Sequence, residues 1–399
     1  MKIPSMNENP VTFPDYQNCI VNLTSSILAS FNVNIDHPPL KQLDYKNFGQ
    51  NVVLIILDGF GINLLKKYKT DATSFFAEHY KDQITSVFPP TTAAAITSFI
   101  TAKTPYEHGS VGWTMFFKEY AKYIDFLPIW DSTTTTTLDN EKFKVHEILG
   151  GNNIFDMIHK QDPTIDLFNI TIKSIAESAN VIKSSGPAKI VPHESSKEFC
   201  ERIEEAVKND PENRKFIYAY SSDPDHLEHI HGINSDQVKS FLAEINSEIQ
   251  NLTERLQGTD TTILITADHG LLDINKYYYT NEDKELFDSM ILPGFPEPRF
   301  ISFFVKSNKI EQFKRASRKY EEDFLIMTRK EFWQKNLFGS GKPHRKLDDF
   351  IGDFVFIAKT DKAIKPIYEQ NGKWKTEFKA HHAGITAAEM LVPLIEINT

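Results

Sequence analysis

Three apolar segments, far apart in the chain, each end in residues that commonly bind metal ions. Each segment has the length and composition of a buried strand, and Asp58, Asp225 or the pair Asp268-His269 stands where the strand would pass into a loop. The segments are residues 52–59, 218–225 and 263–270. Because open α/β folds bind ligands outside the carboxyl ends of parallel strands, this pattern predicts one site at one edge of a parallel sheet.

The remaining pattern predicts how the rest of the chain is arranged around this core. We expect an α/β fold with a mostly parallel central sheet flanked by helices, and a smaller inserted α+β subdomain. Ser235 should begin an amphipathic helix that ends near Leu256 and connects the second apolar segment to the third as a parallel crossover. The expected divisions are a lead-in (1–50), a core (51–275) with an aromatic lid (about 113–160), an inserted subdomain (276–379) and a C-terminal return to the core (380–399).

The charge and the composition exclude several classes of partner. The chain of 399 residues has a net charge of −10, so it offers no broad basic surface for nucleic acid or an anionic membrane. A small phosphate-bearing molecule remains compatible if metal ions supply the positive charge. The start of the chain lacks the apolar region of a secretory signal, and no apolar run approaches a membrane span, so we expect a cytoplasmic protein, although export without such a signal stays open.

Acidic and histidine residues supply enough ligands for two metal ions. Carboxylate oxygens together with imidazole nitrogens suit Zn²⁺ or a similar first-row metal, and two such ions about 4 Å apart can stabilise both the attacking and the leaving oxygen of a phosphoryl displacement. The candidate ligands are Asp58, Asp225, His229, Asp268, His269 and His382. Spacing alone leaves nearby alternatives open, namely Asp223, His226, His231, Asp273 and His381.

Two threonines stand at a predicted helix N-terminus. Pro89 and Pro90 interrupt the chain, Thr91 and Thr92 follow, and residues 93–102 have the small side chains of a buried helix. The free N–H groups and the dipole of such a helix end favour an anion.

In this set of motifs the chain resembles the alkaline phosphatase superfamily, and in particular its type I phosphodiesterase/nucleotide pyrophosphatase family. The resemblance covers about residues 50–395 and depends on the whole set, since no single motif is specific. The motifs, in chain order, are Asp58-Gly59, Phe88-Pro89-Pro90-Thr91-Thr92, the segment from Thr101 to Gly109, Pro224-Asp225-x-x-x-His229-x-x-Gly232, Ala267-Asp268-His269-Gly270 and His382-x-Gly384.

The resemblance implies a role for each candidate residue. One metal ion would be held by Asp225, His229 and His382, and the other by Asp58, Asp268 and His269. Thr92 would lie beside the second ion, as a further ligand and as the nucleophile that forms a phosphothreonine intermediate. Thr91 competes for this role, but the interval from Thr92 to Thr101 matches the family's spacing.

Three departures from the family pattern concern the substrate site and two turns. Trp113 stands at the place where the phosphodiesterase family usually has an asparagine that holds a phosphate oxygen. This leaves the preference between diesters and monoesters open, and the indole could instead stack on a base or pack in the lid. Ala102 and Ala383 stand where glycines are usual, and we expect these small replacements to be harmless.

We therefore expect a hydrolase with two divalent metal ions, preferentially Zn²⁺, that cleaves phosphodiester or pyrophosphate bonds of nucleotide-like substrates. One alternative is a phosphomonoesterase or phosphonate hydrolase with the same ligands. Another is a catalytically silent metal-binding module whose aromatic segment binds a partner. The sequence leaves the oligomeric state open.

Overall fold

A computed structural model describes residues 11–139, 142–365 and 377–399 of the chain. Parts of the predicted lead-in, lid and inserted subdomain therefore lie outside the described residues.

The described strands are, in chain order, β1 (Asn51–Leu57), β2 (Tyr80–Thr85), β3 (Thr114–Phe117), β4 (Lys122–Asp125), β5 (Trp130–Asp131), β6 (Thr136–Thr137), β7 (Asp166–Ile172), β8 (Lys189–His193), β9 (Lys215–Ser221), β10 (Thr261–Thr266), β11 (Leu272–Asp273), β12 (Lys276–Tyr279), β13 (Phe295–Glu297), β14 (Phe300–Phe303), β15 (Phe324–Thr328), β16 (Phe354–Ala358), β17 (Lys362–Lys365), β18 (Ala380–His381) and β19 (Leu391–Asn398).

The described α-helices are α1 (Ile20–Ser30), α2 (Ile62–Tyr68), α3 (Ser74–Glu78), α4 (Thr92–Thr101), α5 (Pro105–His108), α6 (Val145–Ile148), α7 (Ile154–Gln161), α8 (Ala179–Ser185), α9 (Ser196–Lys208), α10 (Asp225–His231), α11 (Asp236–Arg255), α12 (Lys284–Ser289), α13 (Ile310–Ser317), α14 (Arg329–Lys335), α15 (Leu347–Phe350) and α16 (Ala387–Met390). Short 3₁₀ turns occur at Tyr45–Asn47, Thr280–Glu282, Ser307–Lys309 and Arg318–Tyr320.

The central sheet has the strand order β2-β19-β10-β1-β9-β7-β8. Strand β1 pairs in parallel with β10 on one side and with β9 on the other. Its residues are all buried, as expected for a strand with parallel neighbours on both sides and helices over both faces. The C-terminal strand β19 enters between β10 and β2 and is antiparallel to both. The predicted α/β fold with a mostly parallel central sheet is confirmed.

Helix α11 connects β9 to β10, and both of these strands run parallel to β1. The side chain of Ser235 caps the helix by accepting a hydrogen bond from the N–H of Val238. Val238 and Leu242 are fully buried against the sheet. The predicted amphipathic crossover is thus confirmed.

Smaller sheets lie beside the core. Strands β13-β14-β16-β15 form a four-stranded antiparallel sheet within the predicted inserted subdomain, and β3-β4-β5-β6 form another within the predicted lid. The two sheets share a hydrophobic cluster in which Phe117 packs edge-on against Phe350 of α15. The aromatic segment therefore packs on the inserted sheet, while the domain boundaries and the lid role remain proposals.

None of the helices in the described part of the chain combines the length and the apolar character that a membrane crossing requires.

Candidate metal centre

The carboxyl ends of β1, β9 and β10 meet at one point, because the three strands are adjacent, parallel and in register. Ile56 is opposite Thr266, and Leu57 is opposite Ser221. The loops that follow are joined by backbone hydrogen bonds, since the N–H of Asp225 donates to the carbonyl of Asp58 over 2.9 Å. The strand ends predicted from the sequence are therefore brought together at one edge of the sheet.

Asp225, His229 and His382 form one potential metal-binding group, which we call group A. Asp225 begins helix α10, and His229 lies one turn later on the same face. Oδ1 of Asp225 lies 3.3 Å from Nε2 of His229 and 3.9 Å from Nε2 of His382. Three protein ligands arranged in this way leave coordination positions for a substrate or water.

Asp58, Asp268 and His269 form the second potential metal-binding group, group B. Nε2 of His269 lies 3.3 Å from Oδ2 of Asp268 and 3.5 Å from Oδ1 of Asp58. All three side chains are buried. Within the described residues, groups A and B are the only sets of three or more such side chains that could hold an ion.

The two groups are in direct contact. Strand β18 pairs with β11, and His381 lies opposite Leu272. Leu272 is three positions after His269, so the residue after His381 comes close to that histidine. This residue, His382, stacks its ring on that of His269 with centroids 3.9 Å apart. The short β11-β18 pair thus brings a candidate ligand from the C-terminal region to the central strands.

Each aspartate of the two groups has one oxygen that would be available to an ion. Among the described residues, Oδ1 of Asp58, Oδ1 of Asp225 and Oδ2 of Asp268 are buried without a hydrogen-bond partner. The other oxygen of Asp58 accepts from Tyr220, and that of Asp268 accepts from the N–H groups of Gly59 and His269. Buried carboxylate oxygens without partners are costly, so convergent ones fit bound cations.

The histidines of group A have the orientation that metal binding through Nε2 would require. Nδ1 of His229 contacts the carbonyl of Ala380 at 2.8 Å, and Nδ1 of His382 contacts that of Pro90 at 3.2 Å. A carbonyl can only accept, so each Nδ1 carries the proton and each Nε2 presents its lone pair. Burial lowers the pKa of His229 to about 4, which keeps this ring neutral at pH 7.

The electrostatics of the centre favour cations. Burial, together with the charge of Asp268, raises the pKa of Asp58 well above its usual range. Burial and the same charge raise the pKa of Asp225. Both shifts reflect negative charge crowded into a region of low dielectric, which bound divalent ions would relieve.

Thr92 contacts one of the metal groups, whereas the hydroxyl of Thr91 is bonded to a neighbouring carboxylate. Thr92 is the first residue of α4, and its Oγ1 is 3.2 Å from Nε2 of His269. The hydroxyl of Thr91 donates to Oε1 of Glu297 over 2.7 Å. Of the two candidate nucleophiles, Thr92 is therefore the one in contact with a predicted ligand.

Trp113 is connected to the start of α4 through Glu297. Its backbone N–H donates to Oε1 of Glu297 over 2.6 Å, the same oxygen that accepts from Thr91. The residue as a whole is 38 % exposed. The structure thus brings Trp113 near the start of α4 and leaves part of the residue accessible to solvent.

The neighbouring residues that spacing left open have other contacts. Nδ1 of His381 accepts from the N–H of His382. Asp273 accepts from the N–H of Ile233 and from the side chain of Asn234. Asp223, His226 and His231 belong to neither potential metal-binding group of the described chain.

Sequence reasoning missed three polar residues at the centre. Tyr220 orients Asp58, Glu297 joins Thr91 to Trp113, and Glu228 is fully buried with no hydrogen-bond partner for either oxygen among the described residues. Tyr220 could have been suspected, because it lies on the strand that leads to Asp225. The segment around Glu297 carries no motif that would have identified it.

Comparison with known proteins identifies the family. A model described as type I phosphodiesterase / nucleotide pyrophosphatase matches residues 52–384. A search of curated proteins finds no match.

Solved structures share the fold. An inactive variant of murine ectonucleotide pyrophosphatase/phosphodiesterase 5 in complex with AMP is similar with a TM-score of 0.62 and 17 % identity, over 86 % of this chain and 87 % of that one. The human protein of the same name gives a TM-score of 0.62 and 16 % identity, over 86 % and 87 %. Phosphonoacetate hydrolase from Sinorhizobium meliloti 1021, with phosphonoformate, gives 0.65 and 15 %, over 91 % and 92 %.

Proposed function

The chain belongs to the type I phosphodiesterase/nucleotide pyrophosphatase family, and from that premise we propose that it hydrolyses phosphodiester or pyrophosphate bonds of nucleotide-like substrates. The reaction would use two metal ions and a covalent intermediate on Thr92. The observation that carries this proposal is the contact of 3.2 Å between Oγ1 of Thr92 and Nε2 of His269, at the edge where groups A and B meet.

The ligand chemistry supports Zn²⁺ as the ion. Both groups mix carboxylate oxygens with imidazole nitrogens, which suits Zn²⁺ better than Mg²⁺ or Ca²⁺. When bound, the two ions would supply positive charge to the attacking and the leaving oxygen of the displacement.

The residues of the chain then have separate tasks. The Thr92 oxygen attacks phosphorus, the bond from phosphorus to the leaving oxygen breaks, and the leaving group departs with that electron pair and with the proton of the Thr92 hydroxyl. Water next attacks phosphorus, the phosphothreonine bond breaks, one proton of the water passes to the Thr92 oxygen, and the remaining OH stays on phosphorus. The N-terminal end of α4 adds a dipole that favours the anionic phosphoryl group throughout.

The negative charge of the site supports metal dependence. Besides the three aspartates of groups A and B, the buried residues Glu228 and Glu297 lie next to the centre. The charge of Glu297 contributes to the raised pKa of Asp225, and the charge of Asp225 contributes to the raised pKa of Glu228. An anionic phosphoester would be repelled by such a site without bound cations.

A nucleotide-like substrate is supported by the family and by the murine structure, which contains AMP. Phosphonate hydrolysis is a second candidate, because the phosphonoacetate hydrolase covers 91 % of this chain. Trp113, which stands where an asparagine is expected, is the residue whose replacement should change the choice among these substrates.

Side-by-side assays test the proposed function. Protein treated with EDTA and then reconstituted with Zn²⁺ should hydrolyse the nitrophenyl ester of thymidine monophosphate faster than nitrophenyl phosphate or phosphonoacetate. The EDTA-treated sample should be inactive. Faster release of phosphate from phosphonoacetate than of nitrophenol from either ester would favour phosphonate hydrolysis. Fewer than two bound ions per chain, with no hydrolysis of any of the three, would instead favour a silent metal-binding module.

A further inference from the structure

A fully buried ion pair joins the second sheet to the C-terminal region of the core. Arg299, which leads into β14, donates from Nε to Oε1 of Glu389 over 2.6 Å and from Nη2 to Oε2 over 2.8 Å. Neither side chain is exposed to solvent. Paired bonds of this type fix the relative orientation of the two groups as well as their distance.

The carboxylate of Glu389 also holds the loop that carries His382. It accepts from the N–H of Gly384 over 2.6 Å, and from the N–H and the hydroxyl of Thr386 over 3.2 and 2.7 Å. Gly384 is packed so closely that an added Cβ would lie 2.7 Å from Oε2 of Glu389 and 2.8 Å from Nη2 of Arg299. The ion pair is therefore in direct contact with the chain two residues after a predicted ligand of group A.

Helix α16, which contains Glu389, also holds the loop that carries His269. The N–H of Gly270 donates to the backbone carbonyl of Glu389 over 3.0 Å. An added Cβ at Gly270 would collide with the carbonyl oxygen of Ala388. Helix α16 thus contacts both ligand loops, but it holds the group B loop through its backbone and the group A loop through the Glu389 carboxylate.

The loop after His382 has a backbone conformation that needs support. Ala383 has a φ of +85°, in the left-handed region that residues other than glycine rarely adopt. A strained residue of this kind persists only when its surroundings fix it, and the bonds from Gly384 and Thr386 to Glu389 provide that restraint.

Burying two charges is an inefficient way to stabilise a fold. The desolvation of both groups offsets much of their attraction, and apolar residues of similar volume often serve as well. Arg299 also donates to the carbonyl of Lys362, so its guanidinium connects three segments. An arrangement that costs this much solvation is better suited to fixing geometry than to adding stability.

We propose that Arg299 and Glu389 are positioning residues for the metal centre, which hold His382 in place for an ion in group A. The inference rests on the proposed function, because it assumes that groups A and B each bind a metal ion. Since the carboxylate donates no support to the group B loop through hydrogen bonds but accepts three from the group A loop, loss of the pair should weaken the ion of group A more than that of group B.

Variants that lack a candidate ligand of one group allow the Zn²⁺ affinity of the other group to be measured separately. Asp58→Asn removes a ligand of group B, so Zn²⁺ titration of this variant reports on group A; Asp225→Asn reports on group B in the same way. In each background, Arg299→Lys keeps the charge but loses the paired geometry. Glu389→Gln tests the other partner, and Lys346→Met, which removes a buried cation bound to Glu119 and Asp349, is the matched control.

Calorimetric titration of EDTA-treated protein is the decisive readout. We expect Arg299→Lys and Glu389→Gln to weaken Zn²⁺ binding by about 10- to 100-fold in the Asp58→Asn background, and to weaken it clearly less in the Asp225→Asn background. Lys346→Met should lower the melting temperature and leave both affinities unchanged. Ala383→Gly should restore part of the affinity lost in Arg299→Lys.

Two results would contradict different claims. Unchanged affinity of group A in both Arg299→Lys and Glu389→Gln would overturn the inference and leave the two-metal function intact. Equal weakening of both groups would also overturn it, since the pair would then act on stability alone. If the unmodified chain binds fewer than two Zn²⁺ ions, the proposed function fails first, and with it the premise of the inference.

Discussion

Oγ1 of Thr92 lies 3.2 Å from Nε2 of His269, although the two residues are 177 positions apart in the chain. The contact joins the first residue of α4 to the loop after β10. A hydroxyl is a weak nucleophile at neutral pH, and a metal ion bound in the neighbouring group would activate it.

The first prediction separates the metal ligands from their neighbours in sequence. Asp225→Asn should lower the bound Zn²⁺ from about two ions per chain to about one, because group A loses its only carboxylate. Asp223→Asn, a change of the same type two residues away, should leave the metal content unchanged. Elemental analysis of both purified variants provides the measurement, and loss of metal from Asp223→Asn alone would reassign the ligand.

The second prediction concerns the two alanines that stand where glycines are usual. Ala102 has a φ of +53° at the C-terminal cap of α4, and Ala383 has a φ of +85°. Both replacements therefore carry backbone strain, which the sequence did not reveal. Ala102→Gly and Ala383→Gly should each raise the free energy of unfolding by about 0.5–1 kcal/mol, as measured in urea.

Ala95→Gly is the control for that series. Ala95 lies inside α4, where glycine lowers stability by about 1 kcal/mol relative to alanine. If all three glycine variants were destabilised alike, the two positive φ values would not be the source of strain.

The third prediction is a pH dependence that arises from His108. This ring is fully buried, accepts from the N–H of Ser110 at Nδ1 and contacts Ser98 through Nε2. Burial, with a smaller contribution from His344, lowers its pKa to about 3. The folded chain thus keeps His108 neutral where the unfolded chain would protonate it, so its contribution is present above the unfolded pKa of about 6.5 and is lost as pH falls toward the folded value.

The size of this effect can be isolated with His108→Asn, which retains an acceptor for Ser110 but does not titrate. Between pH 7.5 and pH 5, metal-free wild type should lose about 2 kcal/mol more unfolding free energy than the variant. If the unfolding free energies of the two proteins changed equally with pH, His108 would be protonated or solvated in the folded state.

The elements at the centre of the sheet were predictable because their patterns are local. The all-apolar β1 and the capped, amphipathic α11 follow from nearest neighbours in sequence, and the rule for parallel strands then brings Asp58 close to Asp225. The candidate ligands could be assigned to two groups only through the family resemblance.

The surroundings of the site were not predictable, because they depend on contacts across long sequence separations. Glu297 is 206 positions from Thr91, and Arg299 is 90 positions from Glu389. Neither Glu297 nor Arg299 lies beside a recognisable sequence motif. Composition alone cannot distinguish a buried charged side chain from a solvated one. Positive φ at Ala383 is likewise set by tertiary contacts.

The most direct test of the central claim compares Thr92→Ala with Thr91→Ala on the nitrophenyl ester of thymidine monophosphate, with metal content measured in the same samples. We predict that Thr92→Ala lowers kcat/KM by at least about a thousandfold and retains its metal ions, whereas Thr91→Ala stays within about tenfold of wild type. Wild-type turnover by metal-loaded Thr92→Ala would contradict the account.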